Sequence, residues 1–257
     1  MAEVIFVNMK KEDFLGILSN TSCKPLFKHM PLVYALDSLQ SHRLWFATPE
    51  TWSDPFEQRF YAAQYETPCG TSVMPFPWKD KVFCSCFTTR AASEAHWNRS
   101  KTDSVMLHFN RDELLKLLSE LPNNLTVYIG KVQYLQTKEI QTSDLSKIPF
   151  KGQKPTKSNI DDYCARLLLL KRNAFMYEEE IRIMIVNKSE ESVCGRKGDY
   201  FLRWNQGYEL IPNVTLSPLQ SDEANEKLKD FLTKNYGVKV LISRLYKASK
   251  PRKTMKW

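Results

Sequence analysis

The sequence predicts an α+β fold, a single domain over 1–257 in which a curved mixed or antiparallel sheet is flanked by helices. Three observations lead there. Segments that read as strands outnumber those that read as helices, and the two do not alternate strictly, as a doubly wound parallel sheet would require. No stretch has the composition of a linker. Of 257 residues 42% are hydrophobic, only 8 are Gly, and no repeat recurs, so the chain has apolar material for a sizeable core.

Residues 1–24 are expected to form a helical N-terminal extension, with NMKKEDFLGILSN (8–20) as its helix. LVYALDSLQSH (32–42) reads as a helix and LWFAT (44–48) as the strand after it. A region with Pro68, Gly70, Pro75 and Pro77 reads as loop and leads to the strand VFCSCF (82–87). VMLHF (105–109) is a strand, followed by the helix NRDELLKLLSEL, whose Asn110 and Glu113 have capping-box spacing. LTVYIGKVQY (125–134) is a strand interrupted by Gly130, read as a bulge. IDDYCARLLLLKR (160–172) reads as a helix that delivers the chain into an acidic strand. DYFLRW and YELIPNVTL are strands, and SDEANEKLKDFLTKNYG is a helix with Ser221 as N-cap and Gly237 just past its end. VKVLIS is the last strand, and 247–257 form a basic tail.

Composition narrows the setting. The longest apolar runs, such as LLLL at 167–170, fall far short of the roughly 18–20 residues that span a bilayer, so no membrane segment is expected. The start, MAEVIFVNMKKEDF, lacks a basic region followed by a long apolar core. Six cysteines (23, 69, 84, 86, 164 and 194) form no C-x-x-C pair and sit in mostly apolar settings, which points to reduced thiols in a cytoplasmic protein. The four histidines are dispersed, so no metal centre is expected. The formal net charge is +8, and the excess gathers in SKIPFKGQKPTKS (146–158) and in the tail YKASKPRKTMKW (246–257). Such segments track phosphates or simply solvate the surface.

FMYEEEIRIMI (175–185) carries the sharpest signal. In an extended chain Ile181, Ile183 and Ile185 share one face, and Glu178, Glu180 and Arg182 share the other. Two carboxylates and a guanidinium side by side suit a site, although Arg182 could equally neutralise both glutamates on a solvated face.

PLFKHMPLVYALDSLQSHRLWFATPETWSDPFE (25–57) resembles the opening of a widespread bacterial family of uncharacterised domains, in which a Leu-Tyr-Lys-Tyr strand and a helix lead to Asn-Asp-Pro-Phe-Glu. Here Leu26 to His29 occupy the first motif and Asp54 to Glu57 the second. VFCSCFTT resembles the family's Cys-Phe-Ser strand and Trp97 the Trp that follows, while Lys171 to Arg182 resembles Lys-x-x-x-Trp-x-x-Glu-x-Glu-x-Arg. Ser53 stands where Asn is usual, Phe175 where Trp is usual, and the segment after Trp97 lacks the family's Tyr, His and Gly. The arrangement is similar to toxin-type ADP-ribosyltransferases, and implies their fold and the use of NAD as substrate. On that resemblance Glu180 holds a ribose hydroxyl and faces the oxocarbenium ion formed when nicotinamide leaves, and Glu178 deprotonates or orients the attacking group. Arg182 positions both or meets phosphate. Lys28 or His29 would hold the adenosine ribose or a phosphate, or lie on an exposed strand end. Thr48 would support the nicotinamide ribose or merely cap its strand. Asp54 would contact cofactor or form a turn, and Trp97 would stack on a base or fill the core.

The basic balance favours a nucleic-acid acceptor, RNA or single-stranded DNA, over a protein. By analogy with bacterial toxin-antitoxin and phage-defence systems, a neutralising antitoxin protein is expected as a partner. Two alternatives stand beside this reading: a magnesium nuclease using Asp54, Glu57, Glu178 and Glu180, and a non-catalytic RNA-binding or adaptor domain.

Overall fold

The computed structural model describes residues 1–15, 25–66, 72–91, 93–100, 103–142, 156, 158–189, 199–205 and 209–246. Nearly all of the Lys-rich segment, the basic tail after Tyr246, and Cys23, Cys69 and Cys194 lie outside them. In chain order the elements are β1 (Glu3–Val7), α1 (Lys11–Leu15), β2 (Leu26–Pro31), α2 (Leu32–Ser41), β3 (Arg43–Ala47), α3 (Pro55–Ala62), β4 (Gln64–Glu66) and β5 (Val73–Pro75). Then come β6 (Val82–Thr88), α4 (Glu94–Ser100), β7 (Ser104–Phe109), α5 (Arg111–Ser119), β8 (Leu125–Lys131), β9 (Gln133–Leu135) and α6 (Thr137–Thr142). The last are α7 (Ile160–Leu167), β10 (Leu170–Arg172), β11 (Glu180–Asn187), β12 (Asp199–Arg203), β13 (Asn213–Leu216), α8 (Asp222–Tyr236) and β14 (Lys239–Ile242), with 3-10 turns at Pro49–Thr51 and Asn173–Glu178. None of the described helices is long and apolar enough to cross a membrane.

Mixed helix and sheet is the observed class. Ten strands form one open mixed sheet in the order β1-β8-β11-β6-β2-β7-β13-β14, with β3 on β6 and β12 on β3. β1 with β8 and β13 with β14 are parallel, and the other neighbours run antiparallel. β11 is buried along its whole length because both sheet faces are covered. Ile181, Ile183 and Ile185 join one core with Leu107, Phe109, Leu114 and Leu118. Met184 and Val186 enter a second core with Trp78, Tyr163 and Leu167 on the opposite face.

The sheet forks at β6. β2 meets it in register where Phe27 faces Thr88, whereas β3 meets it where Ala47 faces Cys84. Between these points Lys28 donates to Ser85 Oγ (3.0 Å) and to the Cys86 carbonyl (2.9 Å), so a side chain spans the gap. A cleft opens at this fork.

Several expectations are corrected. Residues 3–7 form a strand rather than part of a helical extension, since Val4, Ile5, Phe6 and Val7 favour a pleated, half-buried surface. The helix expected at 160–172 stops at Leu167, because Leu167 to Leu170 are all buried, which one helix face cannot achieve. Gly130 is no bulge: Val7 and Arg182 pair with it in unbroken register on either side, and an added Cβ would lie 2.2 Å from Leu169 Cδ1. The capping box at Asn110 is half formed. The Asn110 side chain accepts from Asp112 and Glu113 N–H, but its own N–H donates to the Leu210 carbonyl. The caps of α8 are as expected, with Ser221 Oγ accepting from Ala224 N–H and Gly237 at φ 66°.

Candidate active site

The cleft encloses about 400 Å³ and collects its lining from distant parts of the chain. β2 contributes Lys28 and His29, β10 contributes Lys171 and Arg172, and α4 contributes His96 and Arg99. Asp54 and Glu57 enter from the start of α3, and Glu178, Glu180 and Arg182 from the turn into β11. Six of the eight residues singled out in the sequence therefore meet here: Lys28, His29, Asp54, Glu178, Glu180 and Arg182.

Thr48 and Trp97 do not line the cleft. Thr48 caps the turn at Pro49–Thr51 and hydrogen-bonds the Tyr61 hydroxyl at 3.4 Å. Trp97 is 1% exposed and packs with Phe27 and Met106 behind His29, whose ring meets it edge-on at 4.6 Å. A direct cofactor contact from either has no geometric support.

Asp54 does more than turn the chain. Its Oδ1 accepts from Phe56 N–H, with Pro55 at the first helical position, which starts α3. The same carboxylate takes a two-pronged bond from Arg172, Nε to Oδ2 at 3.2 Å and Nη2 to Oδ1 at 3.0 Å. Starting the helix here directs Glu57, three residues on, into the cleft.

The centre of the site is a buried ionic network. Lys171 Nζ lies 2.6 Å from Glu178 Oε2, 2.9 Å from Glu180 Oε2 and 3.2 Å from Glu57 Oε1. Arg182 donates from Nε to Glu180 Oε1 (2.6 Å), from Nη2 to Glu57 Oε2 (2.5 Å) and from Nη1 to the Leu168 carbonyl (2.6 Å). Its guanidinium also stacks over Trp52 at 4.2 Å. Arg99 pairs with Glu178 Oε1 from the solvent side. Glu180 is further fixed by its N–H, which donates to the Tyr134 hydroxyl.

Glu178 reaches this network by a route the alternation pattern does not describe. It ends the 3-10 turn, and Glu179 adopts a left-handed conformation (φ 43°) before β11 begins at Glu180. The two carboxylates converge on Lys171 through that kink, not by sharing a strand face. Glu179 turns outward and pairs with Arg90.

The environments of the two glutamates push their proton affinities apart. Burial alone would raise both. For Glu180 the adjacent Arg182 and Lys171 outweigh burial and hold the carboxyl well below its usual range. For Glu178 burial and the charge of Glu180 exceed the pull of Lys171 and Arg99, so its pKa lies above the usual value. One carboxylate is thereby held as an anion, and the other takes a proton more readily than an ordinary glutamate.

The walls add charge and flat surfaces. Arg172 stacks over Phe56 (4.3 Å) and Phe175 (5.2 Å). His29 and His96 stack on each other at 4.8 Å, and burial lowers their pKa values to about 3 and about 4. Both imidazoles are neutral near pH 7. Around the cleft stand four paired cations, Arg99, Lys171, Arg172 and Arg182, with four carboxylates, Asp54, Glu57, Glu178 and Glu180, and Lys28, whose pKa burial lowers.

Glu57, Lys171, Arg172 and Arg99 had no role in the expected ADP-ribosyl transfer site. The first two stood in the motifs that resemble the bacterial family, so their signal was present. Arg99 and Arg172 had none, being brought in by α4 and by the strand pairing of β10 with β9. No group of three or more His, Cys, Asp or Glu among the described residues is arranged to hold a metal ion. Glu57, Glu178 and Glu180 do converge, but the ammonium of Lys171 occupies their centre, where a magnesium nuclease would place its metal.

No protein-family model matches this chain, and no curated protein does. Among solved structures it is similar to the DarT protein of Thermus sp. 2.9. The form in complex with ADP-ribosylated ssDNA is 12% identical with a TM-score of 0.39, covering 86% of this chain and 94% of that one. The form in complex with NAD+ is 12% identical with a TM-score of 0.38, covering 88% and 98%. The form in complex with carba-NAD+ is 11% identical with a TM-score of 0.36, covering 86% and 96%. Similarity at this level leaves the chemistry to be read from the cleft itself.

Proposed function

We propose that this protein is an ADP-ribosyltransferase that takes NAD as donor and a single-stranded nucleic acid, DNA or RNA, as acceptor. The observation that carries the reading is the pair Glu178 and Glu180, held by one lysine with opposed proton affinities in a cleft whose walls are cationic and aromatic. A dinucleotide needs such a place. Its pyrophosphate suits the donors of Arg172 and Lys28, and its flat rings suit Phe175 and the paired histidines.

In the reaction the bond between C1′ of the ribose and the nicotinamide nitrogen breaks, and nicotinamide leaves as a neutral molecule. A bond forms between C1′ and a nucleophilic atom of the acceptor, which gives up a proton. Glu180, kept ionised by Arg182 and Lys171, supplies fixed negative charge opposite the oxocarbenium ion. Glu178 accepts the acceptor's proton, a task that suits the carboxylate of higher proton affinity. Lys171 sets the distance between them. A cytoplasmic enzyme of this kind would endanger its own cell, so a neutralising partner protein belongs to the same proposal.

Label transfer tests the reading. NAD labelled on the adenylate is offered with single-stranded DNA, total RNA or protein lysate to the native chain and to Glu180→Gln. Label on a nucleic acid, falling about 100- to 1,000-fold in the variant, supports it. Intact NAD in every mixture, or label on protein alone, overturns it.

A further inference from the structure

Among the described residues, Glu178 is the carboxylate of the network with a partner that reaches solvent, Arg99. Its Oε2 is held from within by Lys171, whose side chain is 8% exposed, while its Oε1 is held from outside by Arg99, whose side chain is 54% exposed. Arg99 stands on α4, a short helix packed on β2, and its guanidinium lines the mouth of the cleft. The anion at Oε1 is therefore masked by a cation that an incoming substrate meets first.

The geometry points to Arg99 as a phosphodiester-responsive latch: a backbone phosphate of the acceptor strand draws the guanidinium off Glu178 and frees Glu178 to take the nucleophile's proton. This deepens the proposed transfer reaction and rests on it for the bond that is broken. The chemistry follows from competition. A phosphodiester oxygen and a carboxylate oxygen both accept from a guanidinium, and the Arg99 end of the pair is exposed, so a phosphate can compete for it while Lys171 keeps hold of the buried Glu178 at its other oxygen. While Arg99 is bound, Glu178 is a weaker base. Once released, it keeps the pull of Lys171, but the neighbouring anion Glu180 and its own burial raise its basicity. The other titratable groups around it are Glu57, which shares Lys171 with it, Tyr134, whose hydroxyl meets Glu180 N–H, and His96, neutral, on the cleft wall beside Tyr177. The device makes base strength depend on the presence of a charged backbone, so a neutral acceptor or water is a poor substrate.

Two readouts separate this from a structural role. Calorimetry of a single-stranded oligodeoxythymidylate binding to the native protein, at several pH values from about 4.5 to about 7.5 in buffers of different ionisation enthalpy, should show proton uptake in the acidic part of that range, because Glu178 gains proton affinity as Arg99 leaves, and none where Glu178 stays a free base. The uptake should vanish in Arg99→Ala, in Glu178→Gln, and with a methylphosphonate strand of uncharged backbone. Binding without proton uptake, uptake that persists in either variant, or no binding overturns the latch. In the second readout, acceptor-free NAD cleavage should rise severalfold in Arg99→Ala, and stimulation by the oligonucleotide should be lost. Equal loss of basal and stimulated rates would make Arg99 merely structural. If no NAD is cleaved by any protein while proton uptake behaves as expected, the transferase reading fails and the latch stands.

Discussion

Arg182 and Glu57, 125 residues apart in sequence, meet side chain to side chain beneath the cleft, with Arg182 Nη2 donating to Glu57 Oε2. Both are almost wholly buried, at 1% and 4% exposure. The bond ties the first turn of α3 to the central strand β11, so the helix that carries one motif is fixed to the strand that carries the other.

Removing one partner leaves a charge buried without compensation. Glu57→Ala is expected to destabilise the fold by about 3–5 kcal/mol, because Arg182 loses an anion while staying out of water. Glu57→Gln keeps an acceptor for the guanidinium and should cost less. Urea unfolding checks both, and equal stability of the two variants would show that charge at Glu57 is irrelevant.

The network should also give the protein a characteristic pH response. Glu180 has its folded pKa depressed below 4.5, so it contributes stability present above about pH 4.5 and lost as pH falls through that value towards the folded one. Lys171→Met takes away one of the two cations responsible. The three glutamates then repel each other at neutral pH, and protonation relieves them. Between about pH 7.5 and about pH 5 the variant is expected to lose less stability than the native chain, because relief of that repulsion offsets part of the loss that protonation of the unfolded chain's histidines causes in both. Chemical denaturation of both chains across that range checks the difference; parallel curves would rule it out.

How much of this was legible in the sequence depends on the kind of signal. The isoleucine row of β11, the helix α8 with Ser221 and Gly237, and the meeting of Glu180 with Arg182 follow from periodicity and capping, which are local. Glu178 was singled out for a reason the backbone does not obey. Alternation presumes a continuous strand, but Glu179 breaks it, and proximity survives only because Lys171 draws both carboxylates in. Thr48 matched a strand end by type and serves as a cap facing Tyr61. The roles of Lys171 and Glu57 were not legible because each depends on where a different element ends. Lys171 is turned inward by β10, in a segment that reads as helix, and Glu57 by α3, for which no element is expected from the sequence.

The paired histidines make a separate contribution to pH dependence. Both ring nitrogens of His29 and Nδ1 of His96 are buried without a hydrogen-bond partner among the described residues, so a proton on His29, or on Nδ1 of His96, would meet no acceptor. Burial depresses their pKa values from 6.5 to about 3 and about 4. The unfolded chain binds protons at these sites as pH falls below 6.5 while the folded chain does not. Stability is therefore full above pH 6.5 and falls below it, by about 1.4 kcal/mol per pH unit for each proton at the steepest. His29→Phe should flatten the slope between pH 6.5 and about 4, read from urea midpoints. An unchanged slope would mean that the ring protonates in place.

Gly130 controls the approach of the segment that holds Arg182. Its missing side chain leaves room for Leu169, whose Cδ1 would lie 2.2 Å from an added Cβ, and the preceding residue, Leu168, offers its carbonyl to Arg182 Nη1. The strand pairs normally on both sides, so the constraint is space rather than backbone conformation. Gly130→Ala is expected to destabilise by about 1–3 kcal/mol, as overpacking does. The added methyl would also lie 3.0 Å from the Val7 carbonyl, so the Leu169 side chain has to give way beside the residue whose carbonyl holds Arg182. The double variant with Leu169→Ala relieves the crowding and leaves room at the same spot. Its stability loss should be smaller than the sum of the two single losses, by at least about 0.5 kcal/mol in a double-mutant cycle. Additive losses would mean that the contact between Gly130 and Leu169 does not set the spacing.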